Sequence, residues 1–135
     1  MRNSLISSML GFLQNNLHAV YPQQVFETGD VVIVNEKAQT KSLTLKNLCA
    51  AISAYSISFE NIQSVLFSIL QNIGVNDIQL KQAEHVSFIK GRTAEIYVNK
   101  KKLGIIGEIA IPVLKNFSLE NPVALFEINL NELLK

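Results

Sequence analysis

Charge is scarce in this chain, and the shortage is local. Only 17% of its 135 residues are charged, against about 25% in average soluble domains. No Asp, Glu, Lys or Arg stands between Arg2 and Glu27, and between Lys46 and Asp77 the single charge is Glu60. An isolated surface is usually solvated by charges. Either another surface covers these stretches, or their Asn, Gln and Ser side chains do the solvating. The net charge of +1 leaves no global field for nucleic acid. The single cysteine, Cys49, permits no internal disulfide, which fits a reducing compartment; within its apolar run it reads as a buried thiol. No apolar run reaches the roughly 18 residues of a membrane-spanning helix. Met1 to Leu13 is apolar but lacks the basic start and small-residue cleavage site of a signal peptide. His18 and His85 have no Cys, His or Asp at ligand spacing, which argues against a zinc centre, and no Gly-x-x-x-x-Gly-Lys-Ser/Thr phosphate loop occurs. Internal repeats, low-complexity segments and linkers are also missing.

What is present reads as one domain over residues 1–135, long enough to bury about two-thirds of its surface. Asn3 or Ser4 is placed to cap a helix running to about Leu17. Leu5, Ile6, Met9, Leu10, Phe12, Leu13 and Leu17 cover roughly 160° of it at 100° per residue. Its other face, with Ser7, Ser8, Gly11, Gln14 and Asn15, is small enough for another element to approach. His18, near the helix end, reads as an offset to the C-terminal dipole. Val25 to Val34 reads as a strand with a bulge or bend at Gly29. A polar loop, Glu36 to Lys41, leads to a strand from Leu43 to Ser53, with a helical alternative for Leu48 to Ile52. Ser58 caps a second expected helix, Phe59 to Ile73, stopped by Gly74. Phe67 points off its apolar stripe, either under a loop or toward a partner. Ile78 to Leu80 is a short strand candidate. Ala94 to Val98 and Leu103 to Ile109 read as strands around a polar Asn99–Lys102 loop. A Pro112-led helical turn and an apolar strand from Val123 to Leu130 follow. The fold class is α+β: a mostly antiparallel sheet with two main helices on one face.

Three signatures stand in order in the C-terminal half: Phe88-Ile89-Lys90-Gly91-Arg92-Thr93-Ala94, then Leu103-Gly104-Ile105-Ile106-Gly107-Glu108, then Pro122-Val123-Ala124-Leu125-Phe126-Glu127. Arg2-Asn3-Ser4-Leu5-Ile6, Val25-Phe26-Glu27-Thr28-Gly29 and Phe59-Glu60-Asn61-Ile62 precede them. This series resembles the C-terminal part of the phenylalanyl-tRNA synthetase beta subunit, most closely the archaeal and eukaryotic type. In that family a Phe-x-x-Gly-Arg-x-Ala strand leads to a Gly-x-x-Gly-Glu strand, a helix beginning near a proline, and a Pro-Val-Ala-x-Phe-Glu strand. The resemblance covers essentially the whole chain. It implies a catalytic-like module with the class II aminoacyl-tRNA synthetase core fold, within a cytoplasmic heterotetramer that joins phenylalanine to its tRNA with ATP and magnesium. It also implies that the alpha subunit carries catalysis and is the partner of this module, with tRNA reached only through the parent complex. Full-length beta subunits are several times longer, and the editing and magnesium sites would lie outside this chain. Met1 stands where the family has an aliphatic residue before the Arg, which suggests a domain fragment or a truncated paralogue.

The catalytic class II version holds ATP with arginines, because phosphates require cations and bidentate donors. The comparable strands here carry Glu27 and Glu127 and no Arg, so they would repel a triphosphate. No catalytic, cofactor-binding or metal-binding residue is therefore assigned. Glu95, Glu108 and Glu127 lie on separate expected strands; they read as solvated or Arg-paired glutamates, or as a cluster for acid–base work. Arg92, after Gly91, is read as an ion pair to Glu95, Glu108 or Glu84, or as a contact to the alpha subunit or tRNA. Lys100 to Lys102 make a basic tip without the aromatic residues that stack bases. The structural or interface candidates are Ser7, Gly11, Phe67, Gly91, Arg92, Glu108 and Glu127. Alone, the chain is expected to self-associate through its charge-free helical surfaces. The rival functions are a stand-alone oligomerisation or binding protein and, last, a small independent enzyme.

Overall fold

The computed structural model describes residues 4–16, 22–34 and 42–133. Helix α1 (Ile6–Gln14) leads into β1 (Gln23–Val34), which pairs with β2 (Ser42–Ser53). Helix α2 (Phe59–Asn72) follows, then β3 (Ile78–Gln82), β4 (Phe88–Val98) and β5 (Lys101–Ile109). Short helix α3 (Ile111–Asn116), β6 (Val123–Asn129) and the single turn α4 (Leu130–Leu133) complete the described chain. The strands form one six-stranded sheet in the order β1-β2-β6-β5-β4-β3, and neighbouring strands run antiparallel throughout.

Local chemistry explains the boundaries. The Ser58 N–H donates to Asn61 Oδ1 at 2.8 Å and starts α2. Gly74, at φ +91°, ends it: the Gly74 and Val75 N–H groups donate back to the Gln71 and Leu70 carbonyls, a Schellman closure. The β4–β5 hairpin turns on Asn99 and Lys100, both at positive φ, as a tight right-twisted hairpin demands. Lys101 and Lys102 belong to β5 rather than to the loop. β4 begins at Phe88, earlier than Ala94, because an irregular stretch between Phe88 and Thr93 carries the strand past Gly91. No bulge interrupts β1: Gly29 sits in register opposite Asn47. Residues 48–52 are strand, not helix. The first helix ends at Gln14, with Asn15 as its cap, earlier than the expected Leu17; Leu17, His18 and the polar loop fall outside the described residues.

The two main helices lie on opposite faces, not on one. β6 is the reason. Val123 to Ile128 are all buried, so both faces of this central strand need cover, as in any sheet that buries both sides. Leu5, Met9, Leu10 and Leu13 of the α1 segment pack with Cys49, Ala51 and Leu125 on one face. Ile62, Leu66 and Leu70 of α2 pack with Ala50, Ile106 and Phe126 on the other.

Candidate functional site

One row of side chains crosses the sheet on the α1 face. Glu27 of β1 stands opposite Cys49 of β2, Cys49 opposite Glu127 of β6, Glu127 opposite Ile105 of β5, Ile105 opposite Glu95 of β4, and Glu95 opposite Lys81 of β3. With strands about 4.8 Å apart, the Glu27 and Glu127 backbones lie roughly 10 Å from each other. The start of α1 rests on this row. Glu127 Oε2 accepts the Leu5 N–H at 2.8 Å and the Asn47 side-chain amide at 2.8 Å, and its Oε1 accepts the Ser4 hydroxyl at 2.8 Å. Ser4 Oγ in turn accepts the Ile6 N–H at 3.0 Å. Further along, the Ser8 hydroxyl donates to Glu27 at 3.2 Å.

Leu5, the helix cap residue, has no side chain able to cap. Glu127 supplies the missing acceptor from the other end of the chain. A carboxylate there also suits the positive end of the helix dipole. Cys49 is fully buried between the two glutamates. Burial first, then the nearby Glu127 and Glu27 charges, push its thiol well above the ordinary range, so it is no nucleophile. A cleft of about 270 Å³ beside Glu127 is lined by Ser4, Asn47, Asn129, His85 and Lys102 among others. Lys102 is committed to Glu95 at 2.6 Å, and His85 Nδ1 accepts the Ser87 N–H. Among the described residues no group of His, Cys, Asp and Glu is placed to hold a metal, and no helix is long and apolar enough to cross a membrane.

The three glutamates read as a possible cluster do not form one. Glu95 and Glu127 share the α1 face but are separated by Ile105. Glu108 pairs in register with Ala124 on the α2 face, where it is buried and lies 3.5 Å from the exposed Arg92 guanidinium. Gly91 has φ +86°, a conformation that suits glycine. Ser7 is exposed, and open space surrounds the position a Cβ would take at Gly11. Phe67 is half-buried against the α2-side core and borders a shallow hollow with Ser64, Ser68 and Gln71. Sequence reasoning missed Asn47 and Ser4 as partners of Glu127. Their only sequence signal is a cap-competent Ser before an apolar helix; nothing in the order of residues joins it to position 127.

An antiparallel six-stranded sheet covered by a helix on each face, with a cleft on the α1 face, defines the architecture. Over 99% of its length the chain matches pyrrolysyl-tRNA synthetase structures from Desulfitobacterium hafniense with a TM-score of 0.77, at 13–14% identity and covering 48–49% of those chains. The fold is that of a class II aminoacyl-tRNA synthetase core. Residues 1–130 match the phenylalanyl tRNA synthetase beta chain CLM domain, and the chain belongs to that family. It is 46% identical over 132 residues to the phenylalanine–tRNA ligase beta subunit of Sulfurisphaera tokodaii, and 41% identical over 133 residues to that of Thermococcus onnurineus. The alignments cover 98% of this chain and 23–24% of those relatives, so it spans about a quarter of their length.

Proposed function

We propose that this chain is a non-catalytic structural module of a phenylalanyl-tRNA synthetase beta subunit, supporting an alpha subunit that charges tRNA with phenylalanine. One observation carries the reading. On one face of the sheet, where a nucleotide would need cations, the chain places Glu127 of the central strand β6, Cys49 of β2 and Glu27 of the edge strand β1 beneath α1. Two carboxylates there disfavour a triphosphate, and Glu127 is already saturated by donors from the chain itself. β1 and β6 contain no Arg to neutralise developing phosphate charge, a contribution of several kcal/mol in such sites. ATP, magnesium and tRNA accordingly belong to the parent complex in the cytoplasm, not to this chain. The exposed Ser7–Gly11 flank of α1 and the Phe67 flank of α2 are poor in charge, as the core of an interface is; they are the surfaces offered to the alpha subunit.

The alternative, a stand-alone paralogue that binds or oligomerises, draws on the same uncharged flanks. Co-purification with the alpha subunit from the same organism separates the two. A stable complex is expected; an alpha subunit that ignores this chain at micromolar concentrations would favour the paralogue.

A further inference from the structure

We propose that the cleft beside Glu127 binds a small primary amine, its ammonium group at Asn47 and Glu127 and its alkyl body on the aliphatic wall. Three features converge there. The first is an acceptor without a donor. Asn47 lines the cleft, and its amide nitrogen donates to Glu127 at 2.8 Å. Only that nitrogen can face a carboxylate, so the amide orientation is fixed and its oxygen points away from Glu127. Among the described residues nothing donates to Asn47 Oδ1, although it is buried. Buried acceptors are seldom left in this state.

The second is a charge without a counter-ion. Glu127 is 6% exposed, and its three partners, Ser4, Leu5 and Asn47, are neutral donors. They satisfy its oxygens and leave its charge. Among the described residues no Lys, Arg or His forms an ion pair with it. The start of α1 contributes only a partial positive charge. Lys102 lines the same cleft but is bonded to Glu95 at 2.6 Å. Buried charges are ordinarily paired.

The third is the wall. Val31, Leu45, Ile105 and Ile128 also line the cleft, whose volume is about 270 Å³. That is room for a body of roughly four to six carbons, not for a nucleotide. Together these features select the ligand. Asn47 Oδ1 needs a donor. Glu127 needs a positive charge, so a carboxylate or a phosphate is repelled and an alcohol gains nothing from it. The aliphatic wall needs an apolar body, which a bare inorganic cation lacks. A primary ammonium is a compact cation with three donors, and on a branched alkyl chain it meets all three demands. The carboxylate that excludes a triphosphate thereby recruits a cation. The site rests on the chain's own geometry and not on its role in a synthetase, and its test does not involve the alpha subunit.

Titration calorimetry with 3-methylbutylamine, at neutral pH and constant ionic strength, tests it. One saturable site is expected, with a dissociation constant of about 1 mM or tighter, as a ligand of this size permits. 3-Methylbutanol, sodium 3-methylbutanoate and ammonium chloride each lack one of the required features and should bind at least about tenfold more weakly. In heteronuclear NMR spectra of the wild-type chain, the Asn47 side-chain amide should shift with the same midpoint as the calorimetry. Asn47→Ala should weaken the amine by about tenfold or more, and Glu127→Gln should leave it no tighter than the alcohol, with far-ultraviolet spectra of both variants retained. Absence of saturable amine binding to the wild-type chain would overturn the proposal. So would an alcohol that binds the wild-type chain as tightly as the amine, or full amine affinity in folded Asn47→Ala. If the variants do not fold, the wild-type spectra decide: an Asn47 amide that stays unmoved while the amine binds would place the amine elsewhere and overturn the site.

Discussion

Glu127 takes over the capping of α1 at Leu5, the residue before its first turn: its carboxylate accepts the Leu5 N–H at 2.8 Å across 122 positions of chain. The contact ties the central strand of the sheet to the first described helix. It also occupies, with a group of the chain's own, the part of the sheet face that a nucleotide would need. Three donors converge on one buried carboxylate, so its removal leaves donors stranded, each at about 1–3 kcal/mol. Glu127→Ala is expected to cost about 3 kcal/mol or more in urea unfolding. Glu127→Gln, which keeps one acceptor, should cost about half as much. Equal effects would mean that the side chain's volume, not its acceptors, matters there.

Cys49 lies beneath the same helix, shielded from solvent and beside two carboxylates that oppose its ionisation. In the folded chain a thiol-specific reagent at pH 8 should label it only at the rate of unfolding. In denaturant the labelling should be complete within seconds to minutes. Rapid native labelling would show that α1 lifts from the sheet far more often than its packing implies.

Much of this architecture is legible in the order of residues. The strand pattern follows from Val, Ile, Leu and Phe runs broken by Gly, Asn and Pro, and α2 announces both ends, Ser58 and Gly74. The side of the sheet on which each helix lies is not legible. A continuous apolar run such as Val123–Ile128 says that both faces of β6 are buried, but not which helix covers which. Gly29 invites a bulge, and the neighbouring strand holds it in plain register instead. The site is less visible still. Glu27, Cys49 and Glu127 become one row only when β1, β2 and β6 are paired, and a caps-by-carboxylate contact between distant elements has no local signature.

Arg92 and Glu108 form a lopsided pair, 3.5 Å apart, with the arginine mostly in solvent and the carboxylate buried. Removing the cation leaves the buried anion without it, so Arg92→Ala should destabilise by about 1–2 kcal/mol, below the range for fully buried pairs. Adding Glu108→Gln should recover part of that loss, because the uncompensated charge goes with it. Gly91→Ala forces an L residue to φ +86° and should cost about 1 kcal/mol through backbone strain alone. Denaturant melts of the three variants distinguish these effects. An Arg92→Ala chain as stable as the wild type would assign Arg92 to an external contact.

The Glu95–Lys102 bridge at 2.6 Å supplies a pH test with a defined sign. The hydrogen bond from Lys102, then its charge, lowers the Glu95 pKa in the folded chain. A carboxyl that titrates lower when folded stabilises above its unfolded pKa, ordinarily near 4.3 for glutamate. That stabilisation is lost as the pH falls through the folded value. Lys102 is half exposed, so solvent screening limits the pair to about 1 kcal/mol at most. The comparison is therefore between the wild-type chain and Lys102→Met, which keeps the apolar stem. At pH 7 the variant should be less stable by a few tenths of a kcal/mol to about 1 kcal/mol. The gap should close progressively as the pH falls below the ordinary glutamate range and through the lowered folded value, and should shrink with added salt at pH 7. A gap independent of both pH and salt would assign the effect to packing of the lysine stem over β4 and β5 rather than to the charge pair.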